Sequence, residues 1–115
     1  MFRILKSFKF AVNGFRETFK SELNFRAHLM AAILVVIGGW YFEVSTLEWI
    51  VLIICIATVL AAELFNTAVE LLVDLVSPAF NLKAGLVKDM AAAAVLVIAL
   101  MSLAVGLIIF VPKIF

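Results

Sequence analysis

Glu63, Asn66, Glu70 and Asp74 place three carboxylates and an amide inside a segment otherwise apolar enough to cross a membrane. At about 100° per residue the four positions fall within an arc of about 80°, so one helix face carries a single acidic stripe. Bare ionisable groups near bilayer depth cost at least a few kcal/mol each, so the stripe has to face a protein interior, a metal or an aqueous cavity. Carboxylates and an amide in that setting suit two kinds of chemistry: taking a proton from a reacting hydroxyl, and holding a divalent cation.

The elements that must position this stripe are set by composition. The chain has 115 residues, 67% hydrophobic and 15% charged, too apolar for a soluble domain of this size. The length allows one domain, 1–115, and leaves few helices to wall off a polar cavity, so neighbouring copies are expected to help cover the stripe. Cys55 is the lone cysteine and has no partner for an intrachain disulfide, which leaves it a packing role.

Three apolar segments follow one another. Leu29 to Phe42 is short for a span of roughly 20 residues unless the flanking turns are also helical. The second starts near Leu47 and continues through the stripe to about Val76. The third, Met90 to Val111, is free of charge. Ahead of them Leu5, Phe8, Val12, Phe15 and Phe19 alternate with Arg3, Lys6, Lys9, Asn13, Arg16 and Lys20 in the pattern of an interfacial amphipathic helix. The expected architecture is all-α and membrane-integral: residues 1–27 as the surface helix, with 28–46, 47–76 and 88–111 as transmembrane helices. A cleavable signal peptide is not expected, because the charged region is long and no short apolar core with a cleavage site follows it.

Six of the nine Lys and Arg precede the first span, two more (Lys83 and Lys88) lie between spans two and three, and the stretch from Glu43 to Glu48 has none. By the positive-inside rule the amino terminus and the second loop face the cytoplasm and the carboxyl terminus lies outside, with Trp40, Tyr41 and Trp49 at the outer interface. The stripe then descends toward the cytoplasm, with Glu63 deepest and Asp74 near the inner interface. Glu22, Asn24, Arg26 and His28 join the first helix to span one, while Lys88 and Asp89 stand at the mouth of span three. Carboxylates, an amide and a lysine at one depth are the parts that hold a divalent metal, magnesium above all, and an anionic phosphate chain. No Gly-x-x-x-x-Gly-Lys loop or glycine-rich kinase loop is present.

AELFNTAVELLVD from Ala62, AGLVKDMAAAAVL from Ala84 and, in support, ELNFRAH from Glu22 resemble the small prokaryotic diacylglycerol kinases and undecaprenol kinases over nearly the whole chain. The resemblance implies a surface helix plus three transmembrane helices, assembled as a homotrimer in the bacterial cytoplasmic membrane. It implies transfer of the γ-phosphoryl group of MgATP to a lipid hydroxyl, diacylglycerol or undecaprenol, at the cytoplasmic interface, with no nucleic-acid partner. By position, Glu63 looks like the general base, with Asn66 orienting the reacting groups. Glu22 and Glu70 resemble the metal-binding carboxylates, and Lys88 the lysine that neutralises the transferring phosphate. Asp74 and Asp89 resemble supports of the nucleotide site, Phe10 the aromatic residue against adenine, and Arg3, Lys6 and Gly14 residues lining the nucleotide. Asn13 stands where some members have lysine, and Ala79 and Asn81 where some have Glu and His.

The residues alone keep other readings open. A carboxylate among apolar side chains suits a base working near neutral pH, yet Glu63 equally fits a protonated structural acid. Arg3, Lys6, Lys9 and Lys88 also fit orientation anchors. His28 fits a satisfied interfacial side chain, although Asn-x-Arg-x-His resembles the undecaprenol kinases more than the diacylglycerol-specific members. Gly38, Gly39 and the run Ala91 to Ala94 suit close helix packing. A small oligomeric proton-coupled transporter would also carry a membrane-embedded acid like Glu63, but has no use for Glu22, Glu70 and Lys88 at one mouth. A scaffold with paired charges does not explain why acids outnumber basic residues within the spans.

Overall fold

In the computed structural model, which describes residues 1–115, the two longest helices start where side chains satisfy free backbone groups. Four helices result: α1 (Phe2–Ser21), α2 (Leu23–Tyr41), α3 (Thr46–Val76) and α4 (Leu82–Ile114). α3 opens with a reciprocal capping box, in which the Glu48 N–H donates to Ser45 Oγ and the Ser45 N–H donates to Glu48 Oε1. α4 opens at Asn81, whose side-chain oxygen accepts from the N–H groups of Lys83 and Ala84. This cap puts Lys83 and Lys88 inside the helix, so α4 begins well before the charge-free run from Met90. α2 takes in the turn from Leu23 and lengthens the short first apolar run to 19 residues. α2, α3 and α4 are each long and apolar enough to cross a membrane.

No glycine or proline marks the break between α1 and α2. Glu22 leaves helical space at φ −116° and ψ 110°. Arg26 Nη1 donates to the carbonyls of Phe19 and Lys20 at 2.7 and 3.0 Å, taking up oxygens that the end of α1 leaves free. Phe25 is fully buried and meets Phe15 edge-on, ring centroids 5.0 Å apart. An aromatic pair of this geometry adds about 0.5–1.5 kcal/mol beyond its buried area. Together these contacts fold α1 back against α2 and α3.

α3 is the central element, with α4 packed along it and α2 also against it. The α2–α3 turn is a Schellman motif. The Val44 N–H donates to the Gly39 carbonyl at 3.1 Å and the Glu43 N–H to the Trp40 carbonyl at 3.3 Å, with Glu43 in left-handed space at φ 51°. Val44 then packs with Leu52 and Ile109 into a small core flanked by Val35, Trp49 and Phe110. At the same end Lys113 Nζ reaches Glu48 Oε2 at 2.9 Å, joining the last turn of α4 to the first of α3.

Ten of the 115 residues are buried, and the exposed ones include many of the large apolar side chains of the long helices. Such a surface requires an apolar surrounding. Within lipid the helices are held by close packing, which puts weight on small residues at crossings. Gly39 is one: a Cβ there would lie 2.6 Å from Trp49 Cη2 and 3.0 Å from two further ring atoms. Gly39→Ala is therefore expected to destabilise the protein by about 1–3 kcal/mol as the indole is forced aside. A thermal melt in detergent checks this against Gly106→Ala, where the added methyl meets nothing within 4 Å and the melt should not fall.

Candidate active site

The backward fold of α1 opens a groove of about 840 Å³ between α1 and α3. Its polar lining includes Gly14, Glu17 and Glu22 on one side and Thr67, Glu70 and Asp74 on the other. The break at Glu22 is what turns that carboxylate toward the α3 stripe. Gly14 leaves its wall open, since a Cβ at this position would meet nothing within 4 Å. Glu17 was not singled out from the sequence, although it falls one turn after Gly14 on the same helix face, a spacing that carries the signal.

Asn66 stands beside the groove and bridges to it. Its Nδ2 donates to Glu70 Oε1 at 3.3 Å, while its Oδ1 is buried with no partner. An unsatisfied buried oxygen costs about 1–3 kcal/mol, so Oδ1 is a position where a donor or a cation would be favoured. Glu63 lies one turn deeper, 3% exposed, and is not part of the groove wall. His28 Nε2 stands 3.2 Å from Glu63 Oε1. His28, which by sequence fits a satisfied interfacial side chain, is thus the group that faces the buried acid.

Lys88 on α4 donates from Nζ to Asp74 Oδ1 at 2.6 Å and is held at the edge of the groove. Asp89 is exposed and outside the groove wall. Arg3 and Lys6 are exposed on the first turns of α1, and Phe10 lines a separate shallow concavity on that helix with Lys9, Asn13 and Arg16. The single chain therefore gathers Gly14, Glu22, Glu70 and Asp74 around one space. It attaches Asn66 and Lys88 through side-chain bonds and sets Glu63 behind. It does not bring Arg3, Lys6, Phe10 or Asp89 to the same place. Asn81, which stands where some members of the resembled family have His, is engaged as the α4 cap. No three His, Cys, Asp or Glu side chains converge closely enough to cage a metal by themselves.

The Asp74–Lys88 pair is exposed at both ends, 62% and 38% by side chain, so its value for stability is small. Asp74→Asn is expected to leave the thermal midpoint nearly unchanged while making Lys88 react faster with an amine-specific acylating reagent, since the ammonium loses its partner. Mass spectrometry of the labelled peptide measures this, and equal labelling in both proteins would show that the pair does not persist in solution.

The model of the family described as prokaryotic diacylglycerol kinase matches residues 9–110. The undecaprenol kinase of Bacillus subtilis (strain 168) is 42% identical over 111 residues, which cover 96% of this chain and 90% of that protein. The diacylglycerol kinase of Escherichia coli (strain K12) is 30% identical over 95 residues, 83% of this chain and 78% of that one. The diacylglycerol kinase of Synechocystis sp. is 34% identical over 104 residues, 90% of this chain and 59% of that one. With four helices, three of them apolar enough to span a membrane, and an acidic groove between the first and third, the chain belongs to the prokaryotic diacylglycerol kinase family, a family of lipid kinases.

Proposed function

We propose that this lipid kinase transfers the γ-phosphoryl group of MgATP to the hydroxyl of a membrane lipid alcohol at the cytoplasmic interface of the bacterial inner membrane. The observation that carries this reading is the groove between α1 and α3 that both Glu22 and Glu70 line, with the unpartnered Asn66 Oδ1 beside it. Magnesium is commonly held by one or two carboxylates plus substrate phosphates, keeping several waters, so two glutamates and no closed cage fit it. When bound, the ion would neutralise charge on the β- and γ-phosphates. Glu22 and Glu70 would hold it, and Asn66 would orient the reacting groups. Lys88, released from Asp74, would meet the transferring phosphoryl oxygens. Gly14 leaves room for the nucleotide along α1, and Arg3, Lys6, Phe10, Asp74 and Asp89 are its proposed further contacts.

Glu63 is the proposed general base. It takes the proton of the lipid hydroxyl as that oxygen bonds to the γ-phosphorus and the bond to the ADP oxygen breaks. Undecaprenol is the acceptor we assign, because the undecaprenol kinase is the more similar of the two kinds of relative compared, at 42% against 30% and 34%. Diacylglycerol is the alternative acceptor. The positively charged first helix and second loop support a cytoplasmic amino terminus and an outside carboxyl terminus. A proton-coupled transporter built on Glu63 is not favoured, given the family.

Offering both lipids in the same micelles with MgATP tests the assignment: phosphorylation of neither would refute a kinase reading, and preference for diacylglycerol would move the acceptor. Glu63→Gln keeps size and hydrogen bonding but removes the base, so turnover should fall by about 10²–10⁴-fold with MgATP affinity retained. Retained turnover would mean that Glu63 is a neutral structural acid. Glu70→Ala should raise the magnesium concentration needed for half-maximal activity, and an unchanged requirement would exclude Glu70 as a ligand.

One chain leaves the apolar faces of its long helices uncovered, and a homotrimer is the proposed assembly. Native mass measurement in mild detergent should give three copies, and an active monomer would contradict it.

A further inference from the structure

We propose that His28 is the positioning residue for Glu63, its Nε2 set beside Oε1 so that the carboxyl group is held in the orientation from which it takes the acceptor's proton. The proposal rests on reading Glu63 as the proton acceptor.

The geometry is specific. His28 enters from α2, five residues past its start, and its Nε2 stands 3.2 Å from Glu63 Oε1 on α3. The Glu63 side chain is 4% exposed, so water cannot supply its hydrogen bonds, whereas the imidazole is 28% exposed and also lines the apolar cavity between α2, α3 and α4. The charged groups of the adjoining groove include Glu22, at the α1–α2 break, and Glu70 on α3. His28 is the basic group beside Glu63. An ionised carboxylate removed from water needs a paired donor, and without one it takes up a proton and ceases to be a base. One oxygen engaged by a ring nitrogen also fixes the rotation of the carboxyl group, which decides where the second oxygen points.

The competing role for His28 is a tie between α2 and α3 that has no part in the chemistry. The two roles separate in a double-mutant cycle read by turnover. Gln at position 63 still accepts a hydrogen bond from Nε2–H, so a structural tie survives Glu63→Gln and its loss costs the same in either background. A positioning role has nothing left to position once the base is gone. His28→Leu, which keeps bulk without a donor, is expected to lower kcat by about 10²-fold in the native background with the KM for MgATP unchanged. The same change should have almost no further effect in the Glu63→Gln background. His28→Gln, which retains an N–H donor of similar reach, should restore most of the lost turnover.

Melting curves and mass in detergent confirm that each variant keeps its fold and assembly. If His28→Leu fails to fold, His28→Gln and His28→Asn replace it, the longer amide reaching Oε1 and the shorter falling short, so that only the former should retain turnover. Equal losses from His28→Leu in both backgrounds, no loss in either, or no difference between the two amides would overturn the proposal while leaving Glu63 as the base. Full turnover of Glu63→Gln alone would instead remove the reading on which the proposal rests.

Discussion

A carboxylate in the middle of an apolar helix is the constraint around which this structure is arranged. Glu63 cannot face lipid bare, and the chain answers by bringing α2 against α3 at the one level where a histidine is available. From there outward along the stripe, solvation improves by steps. Asn66 and Glu70 bond to each other, and Asp74 is exposed and reaches Lys88. The polar gradient runs along a single helix, so α3 both crosses the apolar region and delivers the acids to the groove.

The groove exists only because α1 folds back. A continuous helix from Phe2 into α2 would carry Glu22 away from Glu70. The reversal is held by Arg26 spanning two carbonyls of α1 and by Phe25 buried against Phe15. Arg26 thereby commits its Nη1 to backbone oxygens. The same economy applies to Asn81, whose oxygen is spent on the start of α4.

Much of this is legible in the sequence. Runs of apolar residues fix the three long helices, and the spacing of Glu63, Asn66, Glu70 and Asp74 fixes their common face, because helical azimuth is a local property. What periodicity cannot convey is which face meets which neighbour. His28 is bland by sequence and opposes the buried acid in the fold. Glu17 carries no sequence signal beyond its spacing from Gly14 and lines the groove. Arg3, Lys6, Phe10 and Asp89, aligned by family resemblance, are not gathered by one chain, since nothing in the short-range pattern of α1 or α4 specifies how those helices close around a ligand. Helix starts are misplaced by the apolar pattern where the cap is a polar side chain, as at Asn81, because an apolar count begins only after the charges of the first turns.

The two ends of the bundle are built differently. At one end the turn from Gly39 to Ser45, the indole of Trp49 wedged at Gly39, the reciprocal cap of α3 and the Lys113–Glu48 contact lock α2, α3 and α4 together. At the other, the short connection through residues 77–81 ties α3 to α4, with the exposed ion pair Asp74–Lys88 across it. The two ends are thus closed by different means, one by side-chain packing and the other by the continuity of the chain through residues 77–81.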